Sequence, residues 1–135
     1  MNFVISFLVS GFLLISLSVS AQEKTTEKVV DSKFLIVSAS LIASSILDAE
    51  STFAAKSNPY IRIKEGNPVM RPFINSGRGA TYSFFGVVNT ATLYLSYRMK
   101  KSPNPTLRKL WWLPPVAPTF SHGIGVAVNF RYAIH

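Results

Sequence analysis

Three long apolar stretches, each with one conspicuously polar residue, constrain this chain more than any other feature. The stretches are residues 34–55, 80–97 and 110–130, and their polar residues are Asp48, Asn89 and His122. The second and third stretches contain no charged side chain, and helices of this length cross a hydrocarbon core of about 30 Å. An ionisable group in such a helix is costly, so it usually faces the protein interior and often marks a functional site. The pattern predicts a helical membrane protein with a buried polar cluster.

The composition agrees with this interpretation. Of the 135 residues, which leave room for one domain, 48% are hydrophobic and 15% are charged, whereas an average soluble domain is about 25% charged. A soluble helical bundle, which is the alternative, would need polar helix faces that these stretches lack. The formal net charge of +8 would suggest nucleic acid in a soluble protein, but here the basic residues flank apolar stretches. We therefore expect membrane lipids with anionic headgroups as their partners, and no nucleic acid.

Residues 1–21 have the pattern of a signal peptide, because an apolar stretch is followed by the small residues Val19, Ser20 and Ala21. Cleavage is expected after Ala21, which leaves a helical membrane domain of residues 22–135. The apolar stretch is not preceded by the Lys or Arg of the usual pattern. A retained N-terminal helix, and with it four membrane helices, is therefore the alternative.

We predict an all-α fold in which three transmembrane helices form a bundle, with spans at about residues 34–55, 80–97 and 110–132. Pro114, Pro115 and Pro118 predict an irregular start for the third span, which becomes regular from about Pro118. A β-barrel is disfavoured, because it needs at least about eight strands of alternating polarity, and residues 34–47 do not alternate.

Two polar segments connect the predicted spans. Residues 56–79 contain a short helix predicted at 68–74, for which Asn67 is the capping residue and Pro68 takes the first position. Residues 102–109 are rich in proline and predict a tight turn. A cleaved signal peptide would leave slightly more basic residues outside than inside, against the positive-inside rule, so the orientation stays open.

Helix geometry places the three polar residues at similar depths. At about 1.5 Å per residue, Asp48 lies about 22 Å and His122 about 18 Å from one membrane face, and Asn89 lies about 17 Å from the same face. A buried carboxylate needs a hydrogen-bond donor, which an imidazole or an amide supplies. We therefore predict that these residues meet in a buried polar cluster, which Thr52 joins from the face of Asp48 and Asn129 from the face of His122.

Each of these residues also has a simpler explanation. Asp48 would lie beside Glu50 at a frayed helix end, His122 would bond a neighbouring helix, and Asn89 would only join two helices. A metal site needs three or more ligands, and the chain has no His-x-x-x-His or Glu-x-x-His pair. We therefore expect neither a metal nor a cofactor.

Two segments carry a resemblance to known proteins: LDAEST at residues 47–52 and EGNPVMRP at residues 65–72. They resemble a family of small bacterial membrane proteins of unknown function. In that family an Asp and a Thr near the end of one membrane helix precede a Glu-x-Asn-Pro-x-x-Arg turn and another membrane helix. The resemblance covers about residues 36–101 and implies this topology and no activity. It also implies a loop motif of Glu65, Asn67, Pro68 and Arg71.

We consider two functions of different class. The first is a non-enzymatic accessory or structural subunit of the bacterial inner membrane, whose partners are lipids, other membrane proteins or further copies of the chain. Small residues four apart, at Ala39 and Ala43 and at Ser40 and Ser44, favour such helix pairing. The second is a membrane-embedded enzyme or an ion- or proton-handling protein that uses buried ionisable groups. No motif assigns a reaction, so the sequence leaves enzymatic activity open.

Overall fold

A computed structural model describes residues 28–60 and 65–133, and these residues form α-helices and no strand. The predicted all-α class is therefore confirmed for this part of the chain. The predicted signal peptide, residues 1–21, lies outside the described residues. The helices are α1 (Ser32–Lys56), α2 (Arg71–Asn75), α3 (Arg78–Lys100), α4 (Pro105–Lys109) and α5 (Leu113–Ala133).

Helix α1 begins where a side chain caps it and buries one face of small residues. The carboxylate of Asp31, which has an extended backbone, accepts a hydrogen bond of 2.8 Å from the backbone N–H of Phe34. The buried residues recur three or four positions apart, as a single helix face requires. Leu41, Ser45, Ala49 and Thr52 show this spacing, and Phe34, Ser51 and Ala55 are buried as well. The predicted small-residue pairs lie elsewhere, because Ala39, Ser40 and Ala43 are exposed and Ser44 is only half-buried.

Helices α1, α3 and α5 pack side by side, with the most extensive contact between α1 and α5. At one end the rings of Phe34 and Trp111 lie 5.7 Å apart, and the hydroxyl of Ser96 donates to the carbonyl of Trp111 at 2.6 Å. At the other end the amide of Asn58 donates to the carbonyl of Tyr132 at 2.9 Å. Helices α1 and α5 therefore run parallel, and α3 runs against both. We call these the Trp111 end and the Tyr132 end.

The short helix predicted at 68–74 begins later than expected, at Arg71. The side chain of Asn67 accepts from the N–H groups of Val69 and Met70 at 3.0 and 3.4 Å. These bonds hold residues 68–70 in a turn, and the first N–H to bond a carbonyl four residues back is that of Arg71, at 3.0 Å from Asn67. Asn67 therefore caps the turn that precedes α2, whereas the N-cap position of the helix is Met70 and the predicted start at Pro68 was three positions too early.

The tight turn predicted for residues 102–109 is instead built around helix α4. The side chain of Asn104 accepts from the N–H groups of Thr106 and Leu107 at 2.9 and 3.4 Å. Pro105 takes the first helical position, where a missing N–H removes no helical bond. Asparagine followed by proline therefore starts a helix here as well.

Helix α5 is regular from Leu113 despite the prolines of the third apolar stretch, so the irregular start expected before Pro118 was wrong. Pro114 and Pro115 lie in the first turn, where N–H groups have no partner within the helix. Pro118 alone removes an internal hydrogen bond. In the same turn, the hydroxyl of Thr119 donates to the carbonyl of Pro115 at 2.7 Å.

Among the described helices, α1 alone is long and apolar enough to cross a membrane when it is judged by length and composition. Helix α3 contains several hydroxyl and amide side chains, and α5 contains three prolines, His122 and Asn129. These residues lower the hydropathy of both helices. The all-α architecture is thus established for the described residues.

Candidate functional site

A hydrogen-bonded pair, Asp48 of α1 and His122 of α5, lies in the interior between the helices. Nδ1 of His122 is 2.8 Å from Oδ2 of Asp48. The side chains are 21% exposed for Asp48 and 14% exposed for His122, so both are largely withdrawn from the surface. Phe85 of α3 presents its ring at 90° to the imidazole, with centroids 5.1 Å apart. All three long helices therefore contribute to the surroundings of this pair.

Gly125 of α5 makes room for the carboxylate of Asp48. A Cβ atom added to Gly125 would lie 3.0 Å from Cγ of Asp48 and closer still to Oδ1. The backbone of α5 therefore lies directly against the carboxylate, which is confined between Gly125 and the ring of His122. Gly123, two positions earlier, has nothing within 4 Å of the same added atom.

The other ring nitrogen of His122, Nε2, has no hydrogen-bond partner among the described residues. No buried side-chain nitrogen or oxygen in the described part of the chain lacks a partner, so Nε2 is open to its surroundings. When the imidazole is neutral, a carboxylate at Nδ1 favours the tautomer with hydrogen on Nδ1 and leaves the lone pair on Nε2. The pair can therefore hold and exchange a proton at Nε2.

Asn129 and Thr52 meet nearer the Tyr132 end. The amide nitrogen of Asn129 donates to the hydroxyl of Thr52 at 2.8 Å and to the hydroxyl of Ser51 at 3.2 Å. Ser51 in turn donates to the backbone carbonyl of Asp48 at 3.0 Å. This second link between α1 and α5 lies about one helical turn from the Asp48–His122 pair.

Asn89 lies in a third layer and does not hydrogen-bond to Asp48 or His122. Its amide nitrogen donates to the hydroxyl of Ser45 at 2.9 Å, and both residues are buried. The hydroxyl of Ser45 donates to the carbonyl of Ile42 at 2.9 Å, which leaves its lone pairs for the amide. The structure thus distributes the five predicted residues over three layers along α1. The sequence analysis missed Ser45, because a serine that bonds its own helix gives no separate signal.

The predicted loop motif lies apart from these layers and bonds within itself. Arg71 Nε donates to the carbonyl of Glu65 at 3.0 Å, and the carboxylate of Glu65 accepts from the N–H of Asn67 at 2.8 Å. Pro68 lies in the turn that follows Asn67. The motif therefore shapes the start of α2, and no member of it has a hydrogen bond to Asp48 or His122.

A second charged cluster, which the sequence analysis did not predict, joins α1 to the start of α3. Arg78 donates to both carboxylate oxygens of Glu50, with contacts of 3.1 Å, and the hydroxyl of Tyr82 also donates to this carboxylate. The guanidinium lies 4.7 Å above the ring centre of Phe53. The sequence pattern places Arg78 in a connecting segment. Because α3 in fact begins at Arg78, this residue and Tyr82 lie on the same face of that helix.

The site has the chemistry of a hydrogen-bonding or proton-exchanging pair. Within residues 28–60 and 65–133, no three histidine, cysteine, aspartate or glutamate side chains come close enough to hold a metal ion. His135, one of the few remaining candidate ligands, lies outside the described residues. No protein-family model, no curated protein and no solved structure matches the chain.

Proposed function

We propose that this protein is a small integral protein of the bacterial inner membrane, in which α1, α3 and α5 all cross the bilayer. In this proposal it acts as a non-enzymatic accessory or structural subunit. The distribution of polarity between the inside and the outside of the helix bundle supports this most directly. Apart from Glu50, whose side chain is 43% exposed and paired with Arg78, every exposed side chain within 34–55, 80–97 and 113–130 is uncharged, and many are large and apolar.

Between their charged ends, the outer surface of all three helices is largely apolar. In the most apolar part of α1 only 22% of the residues are buried, so α1 differs from the core helix of a soluble protein. Val87 of α3 is 71% exposed, and Phe120 and Ile124 of α5 are comparably exposed. Large apolar surfaces of this kind mark contact with lipid or with another protein. Helices of lower hydropathy are also tolerated in a bilayer when their polar groups face a neighbouring helix.

The interior contacts explain how three such helices recognise one another. In lipid, helices associate through close packing and hydrogen bonds between helices, because apolar burial gives little driving force there. Three polar pairs connect α1 to its neighbours, and each fixes the position of one helix along another. They are Asn89 with Ser45, His122 with Asp48, and Asn129 with Thr52. A structural role therefore explains all three pairs, because each pair holds two helices together at a fixed position.

An aspartate placed on the outer surface of α3 or α5 tests the three-span proposal. Val87→Asp and Ile124→Asp each put a charge near the middle of a helix, which costs about 2.5–3.5 kcal/mol of insertion free energy in a membrane. The same change on a water-exposed surface is usually within about 0.5 kcal/mol. Tyr60→Asp is the matched control, because Tyr60 is 88% exposed in a connection between helices.

The full-length variants would be expressed in bacteria, and the protein that stays with alkaline-washed membranes would be quantified. We expect less membrane-retained protein for Val87→Asp and Ile124→Asp, and unchanged retention for Tyr60→Asp. If all four proteins, including the wild type, remain in the aqueous fraction, the membrane proposal is wrong. If one variant alone is retained normally, that helix is not a span.

Proton handling is a second candidate, because Nε2 of His122 is open while Nδ1 is held by Asp48. Proton flux into liposomes that contain the purified protein and a pH-sensitive dye would separate the two functions. Flux that His122→Gln abolishes and Asn129→Leu preserves would favour proton handling, since the second variant breaks a different α1–α5 link. Flux equal to that of protein-free liposomes would exclude it.

A further inference from the structure

We propose that the Trp111 end of the bundle binds the anionic phospholipid headgroups of one membrane leaflet. This inference rests on the membrane placement proposed above. It specifies which end of the bundle contacts anionic lipid and which residues bind the headgroups. The basic surface is formed by Lys33, Lys101, Arg108 and Lys109, which are all exposed.

Within residues 28–60 and 65–133, the cations of this basic surface are not paired with acids. Within the described part of the chain, none of the four has a side-chain hydrogen bond or a salt bridge. The described acid at this end, Asp31, already accepts from Lys100. Lys100 is further held over the ring of Trp111, 4.4 Å from its centre, and over the ring of Phe34 at 5.7 Å. Lys100 therefore neutralises Asp31, and among the described residues no acid remains at this end to pair with the four cations of the basic surface.

The opposite end uses its basic residues differently. Lys56 donates to the side chain of Asn75 at 2.9 Å, Arg71 to the carbonyl of Glu65 at 3.0 Å, and Arg78 to Glu50 at 3.1 Å. These cations stabilise the protein's own connections and are less available to an outside anion. Among the described residues of this end, Arg131 alone is an exposed cation without a side-chain hydrogen bond or salt bridge. The four cations of the basic surface, against this single one, point to the Trp111 end as the one with more capacity for phosphate groups.

Aromatic and apolar side chains place the basic surface at the depth of the headgroups. Trp111 and Trp112 lie at the start of α5, and tryptophan is enriched where hydrocarbon meets water. In the short segment around α4, exposed Leu107 and Leu110 flank the cations Arg108 and Lys109. A segment with both kinds of side chain suits the boundary between acyl chains and phosphates. Each nearby cation contributes about a fivefold preference for an anionic surface at moderate salt.

The tryptophans give a direct test, since the chain has only two and they lie side by side at this end. The full-length protein would be reconstituted into bilayers of phosphatidylcholine and phosphatidylglycerol, with bromine on the chains of one lipid or the other. Bromine quenches tryptophan fluorescence on contact, so the two series give the relative affinity of each lipid for this end. We expect phosphatidylglycerol to be preferred at least fivefold, with a smaller preference at high salt.

A quadruple variant and a double variant make the test specific. Lys33→Gln, Lys101→Gln, Arg108→Gln and Lys109→Gln together should bring the preference close to one, whereas Lys56→Gln with Arg71→Gln should leave it unchanged. Equal quenching by both lipids in the wild type, or loss of the preference in the second variant only, would overturn the inference. Competition by inorganic phosphate at constant ionic strength would also overturn it, because the site would then bind a soluble anion. Failure of the protein to enter bilayers would instead reject the membrane proposal beneath it.

Discussion

Nδ1 of His122 lies 2.8 Å from Oδ2 of Asp48, and this contact joins two parallel helices across 74 residues of chain. The carboxylate is confined by Gly125 on one side and the imidazole on the other. A polar group in such a place is costly when its partner is removed, because no water replaces the lost hydrogen bond. The interaction between Asp48 and His122 is therefore measurable as a coupling free energy.

A double-mutant cycle on Asp48 and His122 tests this coupling. Asp48→Ala should lower the free energy of unfolding by about 1–3 kcal/mol, since it leaves the imidazole without its acceptor. Asp48→Asn should be milder, because the amide keeps an acceptor oxygen and a similar shape. The double variant with His122→Ala should be less destabilised than the sum of the single variants. Thermal unfolding in detergent would supply these values, and strict additivity would contradict the contact.

Gly125→Ala should disturb the same pair through sterics alone. The new methyl group would overlap the carboxylate of Asp48, which must turn away from His122 or push α5 outward. Overpacking of this kind typically costs about 1–3 kcal/mol. Gly123→Ala is the matched control, because its methyl group enters open space and alanine has the higher helix propensity. A melting temperature for Gly125→Ala at or above that of Gly123→Ala would show that α1 and α5 are not in close contact there.

Ser45→Ala should be destabilising, although serine to alanine is usually a mild change in a helix. It removes the acceptor of the buried Asn89 amide, which then pays a desolvation cost of about 1–3 kcal/mol. Ser44→Ala serves as the comparison, because the Ser44 hydroxyl donates only to the carbonyl of Leu41 in its own helix. The difference between the two unfolding free energies measures the Asn89 contact. Equal values would mean that Asn89 finds another partner.

The pairing of Asp48 with His122 was predictable because helix rise is nearly constant. The Phe34–Trp111 contact sets a common starting level for α1 and α5. From that level Asp48 lies about 21 Å along α1 and His122 about 17 Å along α5, a difference of less than one turn. The intervening helix α3 makes α1 and α5 parallel, so both distances run in the same direction. Depth therefore follows from counting residues.

Rotation about the helix axis was not predictable in the same way. Asn89 has a depth close to that of Asp48, yet it faces Ser45, three positions earlier on α1. A depth estimate does not distinguish neighbouring positions on two facing helices, because long side chains reach up or down by about a turn. Two helix starts were also missed. Helix α3 begins at Arg78, two positions before the predicted span, and Asn104 starts α4 within a segment predicted as a turn.

The Trp111 end should lose stability in acid through Asp31. Its pKa lies below the ordinary value of 3.8, first because the Lys100 ammonium donates to the carboxylate and then because the Phe34 N–H does so. A carboxyl group with a lower pKa in the folded than in the unfolded chain stabilises the fold at pH values above the unfolded pKa. That contribution disappears as the pH falls through the folded pKa.

Asp31→Asn isolates this effect, because asparagine is also a good helix cap and keeps the bond from Phe34 while losing the charge. At neutral pH the variant should unfold at a lower temperature than the wild type, since Lys100 loses its partner. The difference between the two melting temperatures should shrink as the pH falls below about 4 and vanish once the wild-type carboxyl group is protonated. Other carboxyl groups titrate equally in both proteins and cancel in the comparison.

Melting curves in detergent from pH 7 downward provide the measurement. A difference that stays constant over this range would assign the effect of the substitution to the cap or to packing, and the Asp31–Lys100 ion pair would then contribute nothing to stability.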